Sequence, residues 1–278
     1  MTTPQRPRHV ALARALAADA LALAVVLAVI AAIGAVLGFG PLAGRQSAAS
    51  VTDPREMLAR SIQATLEASS VHVEGTLLGQ LPGRLVGEDA ASVTLAGSTL
   101  SADLRPRDLR TRAHVAIPAV GVNLDAVTVL LSIWSRSDGG SWQAVGTDSV
   151  AGSAANTGID LNPLTIADRV RSYLAARNEP PRLEEAPCAS VSGRCHLLTL
   201  DAGADPAAVL AALLPGAAAA DLPSTNTTIT LSTDAQTLRP AVLEVLSASA
   251  DGTLAVQLRL VFSGWDGPSV IDPPVVGS

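Results

Sequence analysis

The feature that most constrains this fold is a series of short segments in which apolar and polar residues alternate. In the segment Thr253–Phe262, every second residue from Leu254 onward is apolar. A period of two places these side chains on one face of a β-strand. Asp251-Gly252 is a typical hairpin turn, so this strand pairs antiparallel with the one before it. The other extended segments are Val71–Gln80, Ala91–Leu104, Arg110–Val120, Leu124–Ser135, Ser141–Gly146, Arg182–Pro187, His196–Asp201, Asn226–Thr233 and Ala241–Ala250.

Three helices interrupt the predicted strands. Asp53-Pro54 is a favourable start for the first, which precedes all the strands. Asn162-Pro163 begins a second helix that extends to about Ala176, and Asp205-Pro206 begins a third that ends near Leu214. Antiparallel strands with a few inserted helices are typical of the α+β class.

Composition argues against nucleic-acid binding. The chain has 278 residues and a formal net charge of −6, and all 19 basic residues are arginines scattered along it. An acidic chain lacks the clustered basic surface that nucleic acids require. Aromatic residues make up only 2%, too few for a base-stacking platform. We therefore expect no nucleic-acid partner.

The N-terminal part contains a long apolar segment. No charged residue occurs from Ala20 to Gly44, a length sufficient to cross a bilayer as a helix. Arginines precede this segment, which favours a cytoplasmic N-terminus. The sequence therefore predicts a cytoplasmic tail (1–19), a transmembrane signal anchor (20–44), a linker (45–52) and one extracytoplasmic domain (53–278). A cleaved signal peptide is the alternative, and it would release the domain.

The two cysteines, Cys188 and Cys195, are seven positions apart. In the cytosol they would be incidental thiols. Outside the cytoplasm, this spacing favours a disulfide that closes a short loop. Because the topology places the domain outside the cell membrane, we expect the disulfide.

The sequence contains no recognisable catalytic or metal-binding motif. The four histidines lack the spacing of a metal site, and there is no nucleophile elbow or phosphate-binding glycine loop. His72 and Glu74 share one strand face and could form an acid–base pair, although a solvated strand face also explains them. We therefore expect neither catalysis nor a cofactor or bound metal, and a hydrolase with an unrecognised site is the rival hypothesis.

Four arginines cluster within eight residues, from the end of the second predicted strand to the start of the third: Arg105, Arg107, Arg110 and Arg112. They could contact lipid phosphates or an anionic membrane surface. An exposed hairpin with ordinary solubilising charges is the alternative.

Two passages resemble the LolA-like fold, and within it the mycobacterial LppX/LprG-type lipoproteins. One is the helix from Met57 to Ile62 that leads into Ser69–Thr76 (SSVHVEGT). The other is Leu258–Pro274 (LRLVFSGWDGPSVIDPP). The likeness covers about residues 53–274, with the specific motifs at its two ends. The lipoproteins carry a lipidated cysteine before the domain, whereas this chain has Arg45 there.

The resemblance implies a curved, incomplete antiparallel β-barrel that helices close, with an apolar cavity for the acyl chains of lipids or glycolipids. The fold class predicted is thus α+β and LolA-like, preceded by one N-terminal transmembrane helix. The function implied is a membrane-tethered extracytoplasmic protein that carries or presents acylated lipids. An envelope sensor or protein-binding module on the same scaffold is the alternative. From the alternating strands, the candidate cavity residues are Val115, Ile117, Val129, Leu131, Val256, Leu258 and Leu260.

Overall fold

The computed structural model describes residues 52–83, 92–130, 132–145, 181–188, 193–203, 225–252 and 254–276. These residues form one α-helix, α1 (Pro54–Leu66), followed by twelve strands. Two short 3₁₀ helices, Pro106–Asp108 and Pro118–Val120, join strands. The strands are β1 (Val71–Pro82), β2 (Ser92–Thr94), β3 (Ser98–Arg105), β4 (Arg110–Ile117), β5 (Val122–Val129), β6 (Ser132–Ser137), β7 (Gln143–Val145), β8 (Arg182–Pro187), β9 (Arg194–Gly203), β10 (Thr225–Asp234), β11 (Pro240–Ser249) and β12 (Ala255–Ser263).

Helix α1 begins as the sequence predicts. The Asp53 side chain caps the helix by accepting a hydrogen bond of 2.9 Å from the backbone N–H of Arg55, and Pro54 occupies the first turn. Met57 is fully buried and belongs to the main core, whereas Ser61 and Thr65 complete the buried stripe one and two turns later. The helix thus packs through a single narrow face, as spacing of four residues requires.

All twelve strands belong to one antiparallel sheet. Its order is β7-β6-β5-β4-β3-β1-β12-β11-β10-β9-β8, and the short β2 pairs separately with the end of β1. The two terminal strands of this path, β7 and β8, do not pair with each other in the described residues, so the sheet is open. Strand β12 pairs with β1 in the middle of the path. The two passages that carry the LolA-like resemblance therefore lie side by side.

Two predicted strands each divide into two. The segment Ala91–Leu104 forms β2 and β3, with a turn at Gly97 between them, and Leu124–Ser135 contains the hairpin between β5 and β6. The second turn was hidden because its residue Leu130 adopts a left-handed conformation (φ 56°), which a leucine rarely does. The apolar residues of this segment therefore belong to two paired strands and not to one continuous strand.

The fold class stated above is wrong in two respects. The described residues form an open sheet accompanied by one α-helix, and no barrel closed by several helices is present among them. The predicted second and third helices, at 162–176 and 205–214, lie outside the described residues. No helix in the described part of the chain is both long and apolar enough to cross a membrane, and the predicted transmembrane helix at 20–44 falls outside that part. The predicted N-terminal transmembrane helix is therefore not supported.

The segment after β12 is hydrogen-bonded to the residues that join α1 to β1. Asp266 accepts hydrogen bonds from the backbone N–H and side chain of Ser69 at 2.7 and 3.1 Å, and pairs with Arg239. The hydrogen bond from the Ser69 N–H, followed by that from Arg239, holds the pKa of the Asp266 carboxyl below its ordinary value. Trp265 stacks on Phe262 and lies beneath the Arg239 guanidinium. Hydrogen bonds thus join the segment after β12 to the start of β1, and its aromatic contacts lie with β12 and the turn before β11.

The predicted disulfide is confirmed. Cys188 and Cys195 are bonded, with a Cα–Cα distance of 5.0 Å, and they close the hairpin between β8 and β9. The backbone N–H of Cys188 also donates to the carbonyl of Gly193 at 3.1 Å. The disulfide therefore fastens the edge of the sheet that β8 forms.

Candidate functional site

A continuous row of apolar side chains crosses one face of the sheet, which we call the inner face. Adjacent members are register partners on neighbouring strands, and all but one of them is Leu or Val. The members of this leucine row, from β5 to β8, are Leu124, Val115, Leu100, Gly75, Leu260, Leu243, Leu231, Leu198 and Leu183. Its central members are buried and its two ends are half-buried, so the row forms the spine of the core.

Gly75 is the exception in the leucine row, and close packing explains it. A Cβ added at this position would lie 2.7 Å from Leu260 Cδ2 and 3.1 Å from Leu100 Cβ. Leu260 is completely buried and Leu100 is 7% exposed. The leucines on the two neighbouring strands therefore pack over the backbone of β1, where a larger side chain would separate them.

Burial decreases next to the leucine row along four strands, β1, β12, β11 and β10. Two residues further along, on the side away from α1, the inner face carries a second row of register partners: Leu77, Leu258, Val245 and Ile229. All four are only half-buried, in contrast to the buried partners in the leucine row. We call them the half-buried row. Four partly exposed aliphatic side chains on adjacent strands form an apolar strip that neighbouring protein covers incompletely.

The structure brings most of the predicted cavity residues to the inner face. Val115, Ile117 and Leu260 are buried in the core, where Val115 and Leu260 belong to the leucine row. Leu258 belongs to the half-buried row, and Val256 lies beyond it, half-buried on the same face.

The remaining two predicted residues are placed differently. Val129 lies on the opposite face, which we call the outer face, because its register partner is Arg110 and alternation along β5 puts Leu124 on the inner face. Leu131 lies outside the described residues.

The outer face carries paired charges on its β1–β6 half. His72 Nδ1 lies 2.8 Å from Asp103 Oδ1, and its Nε2 lies 3.5 Å from Glu74. The hydrogen bond to Asp103 raises the pKa of His72 above 6.5 and outweighs desolvation. The His72–Glu74 pair foreseen from the sequence exists, but Asp103 is the nearer carboxylate.

A second charge cluster occurs further along the same face. Asp125 accepts from Arg136 Nε at 2.7 Å and lies 2.8 Å from His114 Nδ1. Burial alone would raise the pKa of Asp125, but the hydrogen bonds to His114 and Arg136 prevail and lower it. These are cross-strand ion pairs on a half-exposed surface, an arrangement that stabilises a sheet modestly.

The outer face also has a shallow groove at the β10–β12 end. It has a volume of about 310 Å³, and its apolar walls include Leu78 and Leu246, each 46% exposed. Thr228, Asn226 and Gln257 provide its polar lining. Leu77 and Leu78 are consecutive residues on β1, so the half-buried row and this groove lie on opposite faces of the same strands.

Sequence reasoning missed three of the four members of the half-buried row: Leu77, Val245 and Ile229. Alternation in β1 and β11 gave the signal, because Leu77 follows Val71, Val73 and Gly75 at intervals of two. It did not show which rows lie at the margin of the core, since this depends on which strands are neighbours.

Comparison with known proteins gives matches among solved structures only. No protein-family model matches the chain, and no curated protein does. Among solved structures, LppX, a lipoprotein of Mycobacterium tuberculosis, matches at 13% identity with a TM-score of 0.46, over 79% of this chain and 98% of that one. A LolA superfamily protein from Nitrosomonas europaea matches at 9% identity with a TM-score of 0.28, over 79% and 96%.

A third match is MucB, solved in complex with MucA(peri), at 12% identity with a TM-score of 0.30. It covers 78% of this chain and 57% of MucB. The solved structures that match thus include LppX and a LolA superfamily protein, the resemblance stated from the sequence. At these identities and TM-scores it carries no argument about the ligand, so the functional case rests on the sheet itself.

Proposed function

We propose that this chain binds the acyl chains of lipids or glycolipids along the half-buried row of the inner face. The observation that carries the proposal is the contrast between two neighbouring rows. The central members of the leucine row are buried by protein, whereas Leu77, Leu258, Val245 and Ile229 keep part of their apolar surface uncovered. An alkyl chain suits such a strip because it is apolar and has no donor or acceptor that needs a hydrogen bond.

The energetics favour long chains. Each buried methylene contributes about 0.8 kcal/mol, so about ten of them contribute about 8 kcal/mol. Association costs about 4–15 kcal/mol in lost freedom. Short chains therefore bind weakly, and a ligand needs one long acyl chain or several to be retained. Adjacent strands are about 4.8 Å apart, so the half-buried row extends about 14 Å across β1, β12, β11 and β10.

The same proposal makes the protein a binding protein without catalysis in an oxidising compartment. The disulfide supports export from the cytoplasm, since such bonds persist chiefly outside it. His72 and His114, which could have served as acid–base groups, are hydrogen-bonded to Asp103 and Asp125 on the outer face, away from the half-buried row.

The test is native mass spectrometry of the full chain from a bacterial host, followed by organic extraction. Leu77→Thr introduces a hydroxyl into the half-buried row, whereas Leu78→Thr makes the same change on the outer face one residue later. Retained acyl lipid in the wild type and in Leu78→Thr, with several-fold less in Leu77→Thr, supports the proposal. Equal loss in both variants, or no lipid after incubation with long-chain lipids, refutes it.

A protein-binding module is the second candidate, and the outer groove favours it. Leu78 and Leu246 expose apolar surface on the outer face, where they do not belong to the core of the inner face. If this reading is correct, the Leu78→Thr variant loses a co-purifying protein while lipid content stays at background in every variant. The two variants therefore separate the two candidates in a single experiment.

A further inference from the structure

Two turns of the sheet are built in the same way but end in different residues. In each, a proline begins a short 3₁₀ helix, Pro106–Asp108 or Pro118–Val120, and the next residue adopts the left-handed conformation. That residue is Gly121 in one turn (φ 68°) and Leu109 in the other (φ 52°). Glycine suits this conformation, whereas the Cβ of leucine opposes it.

The strain at Leu109 brings no compensating burial. Its side chain is 45% exposed, and the neighbouring Leu130 is 62% exposed and also left-handed (φ 56°). The Leu130 N–H donates to the Leu109 carbonyl at 2.9 Å, so the two turns are joined side by side. Two bulky apolar residues in unfavourable backbone conformations, both facing water, point to a role outside the folded domain.

The charges around these leucines follow a definite pattern. Arg105 pairs with Asp108, and Arg110 donates to the Ile271 carbonyl at 2.7 Å and lies near Asp272. Arg107 and Arg112 are more exposed than these two arginines, and neither has an ion-pair partner among the described residues.

The C-terminal segment adds apolar surface nearby. Arg105 donates to the Ser269 carbonyl and Arg110 to the Ile271 carbonyl, so these two contacts hold Val270 beside the turns. Val270 is 71% exposed. The result is an apolar tip flanked by two exposed arginines that form no ion pair within the described part of the chain.

We propose that this tip, formed by the turn Arg105–Arg110 together with Leu130, inserts into the surface of an anionic lipid bilayer. Exposed leucines suit the acyl boundary and exposed arginines suit anionic headgroups, a combination typical of interfacial binding. The tip lies at the α1 end of the sheet, whereas the half-buried row lies further towards the opposite end. The two proposals are therefore independent, and either can fail without the other.

The experiment locates the tip directly in the full chain. Leu130→Cys is labelled with an environment-sensitive fluorophore, and Leu246→Cys on the outer face is the matched control. The native cysteines are in the disulfide, so the introduced thiol takes the label. The chain is mixed with vesicles of phosphatidylcholine with or without phosphatidylglycerol, each containing nitroxide-labelled lipid. We expect a blue shift and quenching at position 130 in the anionic vesicles, and neither at position 246.

Two further variants test the leucine and the arginines separately. Arg107→Gln with Arg112→Gln should lower partitioning about 25-fold, since each charge near an anionic surface is worth roughly fivefold. Leu109→Gly should raise the denaturation midpoint and yet weaken quenching at position 130, which no purely structural role of this leucine would do. Equal quenching at positions 130 and 246 overturns the proposal, as does capture of the tip by a protein partner with no response to vesicles.

Discussion

Gly75 offers the sharpest test of the packing described for the inner face. In Gly75→Ala the new Cβ lies 2.7 Å from Leu260 Cδ2. Because Leu260 is fully buried, its side chain cannot rotate into solvent, and the added methyl overpacks the core. Such overpacking costs about 1–3 kcal/mol. Alanine also lowers the conformational entropy of the unfolded chain, which stabilises the folded state by about 0.4–1 kcal/mol. We therefore expect a net destabilisation of about 1–2 kcal/mol.

A double mutant separates the clash between the new methyl group and Leu260 from the other effects of Gly75→Ala. Leu260→Ala alone should cost about 2–5 kcal/mol, because it leaves a cavity in a buried site. In Gly75→Ala/Leu260→Ala the new methyl enters the space that Leu260 vacates. We therefore expect the double mutant to be more stable than the sum of the single effects by about 1–3 kcal/mol.

The assay is urea unfolding of the full chain, followed by far-UV circular dichroism, with equal slopes in all four proteins as the control. A coupling energy within about 0.5 kcal/mol of zero would mean that the two sites do not touch, and the packing argument would fail.

Two further predictions concern the edge and the outer face of the sheet. Reduction of Cys188–Cys195 should lower the unfolding free energy by about 2.4 kcal/mol for a loop of this length, and an unchanged urea midpoint with reductant would contradict it. The pKa of His72 is raised above 6.5 by Asp103, so its stabilising contribution is present below pH 6.5 and is lost as the pH rises through the folded value. Asp103→Asn should flatten this pH dependence in unfolding measurements and lower the His72 pKa observed by NMR; identical profiles would show that the pair contributes nothing.

Local chemistry made several elements predictable. The Asp53 cap and Pro54 mark the start of α1, and the alternation from Leu254 to Phe262 identifies a strand with one apolar face. The spacing of Cys188 and Cys195 indicated their bond. Each of these features depends on residues close together in the chain.

Non-local features were not predictable from periodicity. Strand β12 pairs with β1 across nearly the whole domain, and nothing in the alternation of either strand specifies that partner. The hairpin at Leu130 was missed because leucine normally avoids its conformation. The candidate site was likewise predictable only in its local part. Alternation identified Leu258 and Leu260 as side chains on the same face of a strand. Only the strand order shows that one lies at the margin of the core and the other at its centre.

The most direct test of the central claim uses a long-chain fatty acid that carries a photoreactive diazirine in its alkyl chain. After irradiation of the full chain, the adducts are mapped by peptide mass spectrometry. Acyl-chain binding on the inner face predicts adducts on Leu77 and Leu258, which an excess of unlabelled fatty acid suppresses. Adducts confined to Leu78 and Leu246 on the outer face, or labelling that the competitor does not reduce, would contradict it.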